Sequence, residues 1–145
     1  MSKKIFKFLV KQNDQSDCGI ACLLSVIKFY GGNATLEQLR EHSGTDRIGT
    51  TLLGLVEAAS AKGFEAKGYE ADSESLIKHN QPTILHVQKE GLEHYVVFFE
   101  YSNGVFTIGD PAEGVKEYST IEILIVLSLD YTIVIYNAYH CAPQW

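Results

Sequence analysis

The most constraining feature of this sequence is a run from Ile20 to Tyr30 that is apolar on nearly every face of a helix. Only Ser25 and Lys28 interrupt the run, and Gly31-Gly32 ends it. A helix that is apolar all round has no face suited to water, so it has to be covered on all sides. The run therefore predicts a central buried helix that begins near Asp17-Cys18 and is terminated by glycine.

The rest of the chain changes character at Gly63. Before it, two further helices are expected, at 35–44 and 51–61, and Thr35-Leu36-Glu37-Gln38 matches a capping box at the start of the first. After it, β-branched and aromatic residues predict strands and one short helix (strands 64–69, 83–88, 95–101, 105–109 and 131–136; helix 73–79). Helices followed by a mainly antiparallel sheet make an α+β domain.

Length and composition exclude several classes of protein. A chain of 145 residues is one domain of ordinary size. Its 12 Lys and Arg against 18 Asp and Glu give a formal charge of −6, so nucleic acid is not an expected partner. The three cysteines, Cys18, Cys22 and Cys141, favour a reducing compartment over a disulfide framework. No apolar stretch has the length of a signal peptide core or a membrane helix, so a soluble domain is expected.

Cys18 lies where a polar loop enters the predicted central helix. The amides and the macrodipole of a helix N-terminus stabilise a thiolate, so Cys18 is a candidate nucleophile. The polar run from Gln12 to Asp17 precedes it and offers amide donors for an oxyanion. Two other interpretations are open: free cysteines are commonly buried apolar residues, and Cys18 with Cys22 could contact one metal ion, although no second close pair of ligands follows.

Among the five histidines, His94 has the setting of a general base, because it opens a hydrophobic strand after the turn at Gly91. Asp110 ends the next strand, where a carboxylate can orient an imidazole. The alternative for Asp110 is a turn residue, since Asp before Pro commonly starts a turn.

The hairpin between these strands decides whether the two side chains can meet. A strict two-residue turn at Asn103-Gly104 places Asp110 opposite Val97, on the other face of the sheet from His94. A three-residue loop places Asp110 opposite Val96, which shares a face with His94. The catalytic hypothesis therefore requires the three-residue form or a bulge.

Six short motifs occur in order from about Lys11 to Tyr136: Gln12-(x5)-Cys18, Asp17-Cys18-Gly19-Ile20-Ala21-Cys22, Tyr30-Gly31-Gly32, Gly49-Thr50-Thr51-Leu52, His94-Tyr95-Val96-Val97 and Asp110-Pro111-Ala112. Their order and spacing resemble the bacteriocin-processing peptidase domain, a papain-like cysteine peptidase domain of ABC transporters that export peptides with double-glycine leaders. The resemblance implies an α+β papain-like fold, with an N-terminal helical half packed on a C-terminal sheet.

The resemblance also implies the roles of four residues. Cys18 is the expected nucleophile, His94 the general base and acid, Asp110 the residue that orients His94, and Gln12 the oxyanion donor. No cofactor or metal is expected. Residues 1–136 are expected to form the peptidase domain, with 137–145 as a tail or the start of a linker.

The implied reaction is hydrolysis after a Gly-Gly pair in the leader of bacteriocin-type or lanthipeptide precursors. The implied partners are the precursor peptide and the membrane and nucleotide-binding domains of an ABC transporter, at the cytosolic face of the bacterial cell membrane. Two other functions remain open: a leader-binding domain of the same fold without catalysis, and a cysteine acyltransferase or isopeptidase, since a triad defines acyl transfer but not the acceptor.

Overall fold

The computed structural model describes residues 5, 7–70, 72–89, 91–126 and 128–136. In this part of the chain, a 3₁₀ turn (Gln15–Asp17) is followed by helices and strands in the order α1 (Cys18–Phe29), α2 (Leu36–Ser43), α3 (Leu52–Ala61), β1 (Glu65–Glu70), α4 (Ser73–His79), β2 (Thr83–Lys89), β3 (Leu92–Ser102), β4 (Val105–Asp110), β5 (Gly114–Ser119), α5 (Thr120–Val126) and β6 (Ser128–Tyr136). No helix in these ranges has both the length and the apolar character needed to span a bilayer.

The strands form one antiparallel sheet in the order β1-β6-β2-β3-β4-β5, with helices on both faces. β3 lies near its centre and is buried on both sides, because alternate side chains of a strand point to opposite faces. Tyr95, Val97 and Phe99 join the core formed with α1 and α3. Val96 and Phe98 join a second core that includes residues of α4 and α5.

Helix α1 is the buried central helix that the apolar run predicts. Ten of its twelve residues, from Cys18 to Ile27, are buried. Ser25 is polar for a local reason: its hydroxyl donates to the carbonyl of Ala21 at 2.8 Å and accepts the backbone N–H of Val10 at 2.9 Å. The one polar side chain in the middle of the run therefore attaches the N-terminal segment to the helix.

Two elements differ from the sequence-based prediction. Strand β5 and helix α5 were not expected. In β5 a Lys-Glu pair interrupts the apolar pattern, which an edge strand tolerates because only one side is paired. In α5, Ile121 and Leu124 remain largely exposed, so its apolar residues do not form one buried stripe. The predicted tail at 137–145, with His140 and Cys141, lies outside the described residues.

The β3–β4 hairpin contains both a two-residue turn and a bulge. Ser102 pairs with Val105, so Asn103 and Gly104 form the turn, and both have positive φ (52° and 77°). The register then shifts between Phe98 and Glu100. The turn thus has the two-residue form, and the second of the two required alternatives, a bulge, is present: the extra residue in β3 changes the pairing below it.

The bulge determines which residues meet at the far end of the hairpin. Below it Phe98 pairs with Ile108 and Val97 with Gly109, so the next step of the ladder places Asp110 opposite Val96. That is the register that a three-residue loop would have produced. A bulge adds one residue to one strand and re-aims the side chains beyond it. The requirement for a contact between Asp110 and His94 is met in this way.

Candidate active site

His94 and Asp110 form a buried pair at the ends of β3 and β4. His94 Nε2 lies 2.8 Å from Asp110 Oδ1. The two residues are only 6% and 3% exposed, so water does not compete for this hydrogen bond. Because Nε2 is engaged by the carboxylate, Nδ1 is the ring nitrogen left for a second partner.

The second partner of the imidazole is the sulfur of Cys18. Burial alone lowers the pKa of His94, but hydrogen bonds to Asp110 and Cys18 and the charges of both groups outweigh burial and raise the pKa to about 9. The ring is therefore an imidazolium at neutral pH. A cation between a carboxylate and a sulfur stabilises the thiolate form of the cysteine.

Asp110 combines the two roles that the sequence left open. Its Oδ1 accepts the N–H of Ala112 at 2.8 Å, which is the turn role, and the same oxygen contacts His94. The turn thus holds the carboxylate in place for the imidazole. One residue serves as a turn former and as a partner of His94.

Replacing Asp110 with asparagine is expected to lower stability at pH 6 and to flatten its dependence on pH. His94 binds its proton more tightly in the folded protein (pKa about 9) than at its ordinary value of 6.5. This contribution is complete below about pH 6.5 and is lost as the pH rises toward about 9. Asparagine can keep the bond to Ala112 but removes the charge, so the pKa of His94 falls. Urea denaturation between about pH 6 and pH 9 measures the effect.

Asp72→Asn is the matched control, because Asp72 caps α4 far from His94 and asparagine caps a helix equally well. The control should reproduce the pH dependence of the wild type. An Asp110→Asn protein with the wild-type pH dependence would show that the carboxylate does not hold the proton on His94.

Cys18 is the first residue of α1, and its side chain borders an open cleft. The residue is 7% exposed, so the sulfur is shielded but reachable. The cleft has a volume of about 470 Å³, and Gly49, Thr50, Tyr95 and Glu93 also line it. Cys22, one turn deeper, is fully buried. Its burial, with the charges of Cys18 and Asp110, raises the pKa of its thiol well above the ordinary value, so Cys22 is unsuited to be a nucleophile.

One wall of the cleft is the loop 44–51 between α2 and α3. Inside the loop, Asp46 Oδ1 accepts the N–H groups of Ile48 and Gly49, and the hydroxyls of Thr45 and Thr50 are 2.6 Å apart. These bonds give the loop a defined shape without burying it.

Tyr95 attaches this loop to the rest of the site. Its hydroxyl donates to the carbonyl of Thr50 at 2.9 Å. Its ring packs so closely on the start of α1 that a Cβ atom on Gly19 would lie 3.2 Å from the ring and 3.3 Å from Thr50. Burial, followed by the charges of Cys18, Cys22 and Glu93, raises the pKa of its hydroxyl, which stays a neutral donor.

Gln12 reaches the site along the segment before α1. Its backbone N–H donates to the carbonyl of Pro111 at 3.0 Å, next to Asp110. Its side-chain Oε1 is buried and has no hydrogen-bond partner among the described residues. The amide is therefore not held by a structural hydrogen bond through this atom.

Sequence reasoning named four site residues, and the structure brings three of them into direct contact. Cys18, His94 and Asp110 form one connected group, and Gln12 is attached to the turn that follows Asp110. Tyr95 and the loop 44–51 were missed as cleft walls. His86, which lies within the predicted strand 83–88, also lines the cleft, with its ring 4.9 Å from that of Tyr95. The only sequence signal for His86 and Tyr95 as cleft residues was the alternation of side chains along two neighbouring strands.

Comparisons with known proteins agree with this geometry. The model of the Peptidase C39 family matches residues 7–126. The pediocin PA-1 transport and processing ATP-binding protein PedD of Pediococcus acidilactici is 33% identical over 144 residues, which is 90% of this chain and 20% of that protein. The chain spans a fifth or less of the length of the first curated relatives it matches.

Two solved structures are similar over most of the chain. The peptidase domain of Streptococcus ComA, a bifunctional ABC transporter of a quorum-sensing pathway, superposes with a TM-score of 0.78 at 39% identity, covering 88% of this chain and 96% of that one. A double-glycine-motif protease from an AMS/PCAT transporter, solved in complex with the leader peptide, superposes with a TM-score of 0.80 at 29% identity. The match covers 89% of this chain and 90% of that one. The expected α+β papain-like fold is confirmed.

Proposed function

We propose that this chain, which belongs to the peptidase C39 family, is a cysteine peptidase that hydrolyses the bond after a Gly-Gly pair in the leader of a bacteriocin-type or lanthipeptide precursor. The observation that carries the proposal is the buried imidazolium of His94, held between Asp110 and the sulfur of Cys18 at a helix N-terminus. That arrangement stabilises a thiolate and stores the proton that a leaving amine needs.

The proposed reaction proceeds in two steps. In the first, the Cys18 thiolate attacks the carbonyl carbon of the second glycine, and the amide N–H of Gln12 with the first amides of α1 stabilises the oxyanion. His94 gives its proton to the departing amine as the C–N bond breaks, which leaves a thioester. In the second, His94 takes a proton from water, the resulting hydroxide attacks the thioester, and the leader leaves with a new carboxylate while the sulfur leaves as thiolate.

The cleft walls beside the nucleophile are the part of the site that would select for glycine. Thr50 and Tyr95 line the cleft next to Cys18, and both are packed against Gly19 at the start of α1. Walls fixed this close to the sulfur would exclude substrate side chains by steric repulsion, and glycine is the residue that avoids it. The solved relative in complex with a leader peptide is a double-glycine-motif protease, which supports the same substrate class.

A paired-substrate experiment tests the function. A peptide with a Gly-Gly leader joined to a cargo is incubated with the protein beside the same peptide in which the second glycine is alanine. We expect cleavage after Gly-Gly and at least about 100-fold slower cleavage of the alanine peptide, because misfit in a packed site costs on the order of 2–3 kcal/mol. Product masses identify the bond. Equal cleavage of both peptides would contradict the specificity, and cleavage of neither would contradict the substrate class.

The same experiment separates the two rival functions. A leader-binding module without catalysis would bind the peptide and leave it intact, although it has no use for a buried imidazolium beside a cysteine. An acyltransferase would yield a leader joined to an added amine in place of the free carboxylate, and the product mass tells these apart.

The partners of the chain follow from the same relatives. The relatives are processing and transport ATP-binding proteins far longer than this chain. We infer that the peptidase acts together with the membrane and nucleotide-binding domains of an ABC transporter, on the cytosolic side of the bacterial membrane, where the precursor is made.

A further inference from the structure

We propose that Arg40 is a positioning residue: its guanidinium holds the buried carboxylate of Asp17 and compensates its charge, so that this charge does not oppose the thiolate of Cys18. The inference rests on the proposed function in so far as Cys18 is the nucleophile. It concerns a contact between α2 and the start of α1 that plays no part in the triad itself.

The contact is an ion pair next to the nucleophile in which the carboxylate is fully buried and the guanidinium is partly exposed. Asp17, immediately before Cys18, is 0% exposed, and its Oδ1 accepts a hydrogen bond from Arg40 Nη2. Its other oxygen, Oδ2, is buried and has no hydrogen-bond partner among the described residues. A buried carboxylate depends strongly on its partner, because an uncompensated charge in a dry site is costly.

Asp17 occupies a helix cap position without acting as a cap. An aspartate before the first turn normally accepts an N–H of that turn. Asp72 does so on α4 and Thr51 does so on α3, at 2.7 Å and 2.9 Å. Asp17 makes no such bond on α1, because it ends the 3₁₀ turn with a helical backbone (φ −93°, ψ 0°), whereas Asp72 and Thr51 have an extended backbone. Its carboxylate is bound by Arg40 instead, so the charge next to Cys18 is compensated by the guanidinium.

Removing the guanidinium should therefore act on the sulfur through charge. The carboxylate of Asp17 would lie uncompensated one residue from the thiolate, and like charges so close oppose each other. The thiolate then becomes less favourable.

Arg40 is also attached to the cleft wall through its backbone. Its carbonyl accepts the N–H of Thr45 at 3.2 Å and the hydroxyl of Ser43 at 3.3 Å, at the start of the loop 44–51. Its side chain is 39% exposed, so its truncation does not open a cavity in the core. A substitution of the side chain keeps the backbone contacts and tests the guanidinium separately.

Other ionisable groups line the cleft or interact with Cys18, and they are the same in every variant. They lie on every element around the cleft: Cys22 on α1, Asp46 in the loop, His86 on β2, Glu93, His94 and Tyr95 on β3, and Asp110 on β4. A difference between variants therefore reports on the Asp17–Arg40 pair.

The test is the pH profile of Cys18 alkylation by iodoacetamide in Arg40→Met, Arg40→Lys and the double variant Arg40→Met with Asp17→Asn. We expect Arg40→Met to react about tenfold more slowly near pH 6.5 and to approach the wild-type rate at high pH, since a tenfold change corresponds to one pH unit. Arg40→Lys should keep most of the rate. The double variant should return to within about threefold of the wild type, because neutral asparagine exerts no charge on the sulfur.

Lys28→Met, which removes one exposed positive charge from the other end of α1, is the control and should match the wild type. A wild-type profile for Arg40→Met, or a double variant as slow as Arg40→Met, would overturn the proposal. If Arg40→Met does not fold, the alkylation profiles of the double variant and of Arg40→Lys test the proposal. A double variant that alkylates about tenfold more slowly than the wild type near pH 6.5 would overturn it. Alkylation needs no peptide substrate, so a wild type that alkylates readily but leaves the leader peptide intact would contradict the proposed function and not this inference.

Discussion

Cys18→Ala is expected to lower the rate of leader cleavage by at least about 10⁴-fold, because an enzyme loses nearly all of its activity when one member of its nucleophile–base unit is removed. The sulfur lines the open cleft and is hydrogen-bonded to His94, so nothing else among the described residues is placed to form the thioester. The measurement is product formation under single-turnover conditions, with mass spectrometry to identify the cleaved bond. Leader binding should survive, because alanine leaves the cleft walls in place.

Cys22→Ala provides the matched control on the same helix. Cys22 is fully buried, with its thiol pKa raised, and does not line the cleft. Its replacement should cost on the order of 1 kcal/mol of stability and leave the cleavage rate within a few-fold of the wild type. Full activity in Cys18→Ala, or the loss of activity in Cys22→Ala with its fold intact, would show that the wrong cysteine was chosen.

His94→Ala is expected to lower cleavage by about 10³- to 10⁴-fold, in the range that general acid–base groups contribute. The imidazole is also the cation next to the sulfur, so the variant should alkylate more slowly with iodoacetamide near pH 7. The two readouts separate the roles of the ring: alkylation reports the stabilisation of the thiolate, and cleavage adds the transfer of a proton to the leaving amine.

His42→Ala is the control for this variant, because His42 is exposed in the last turn of α2. It should cleave and alkylate as the wild type does. A His94→Ala protein that alkylates at the wild-type rate would mean that the ring does not act on the sulfur, and one that still cleaves the leader would remove His94 from the reaction.

The sequence predicted the parts of the fold that depend on local patterns. The apolar run from Ile20 identified α1, the Thr35 capping box identified the start of α2, and Gly44 ends that helix in the left-handed region. The reciprocal bonds of the capping box are present between Thr35 and Gln38. These signals lie within a few residues of each other, so tertiary contacts have little opportunity to override them.

The prediction failed where an element is held by its neighbours. β5 has little strand character of its own and exists because β4 offers it an edge to pair with. Here the local sequence allows more than one outcome, and packing selects among them.

For the site, the sequence by itself determined the chemistry: a cysteine at the entrance of a buried helix, a histidine at the start of a strand and an aspartate in a turn. Only the tertiary structure decided that they meet. The turn at Asn103-Gly104 alone would have placed Asp110 on the wrong face, and the bulge at Phe99 corrects the register by one residue. A strand alternates faces at every residue, so one inserted residue, which no local pattern reveals, changes which side chains can touch.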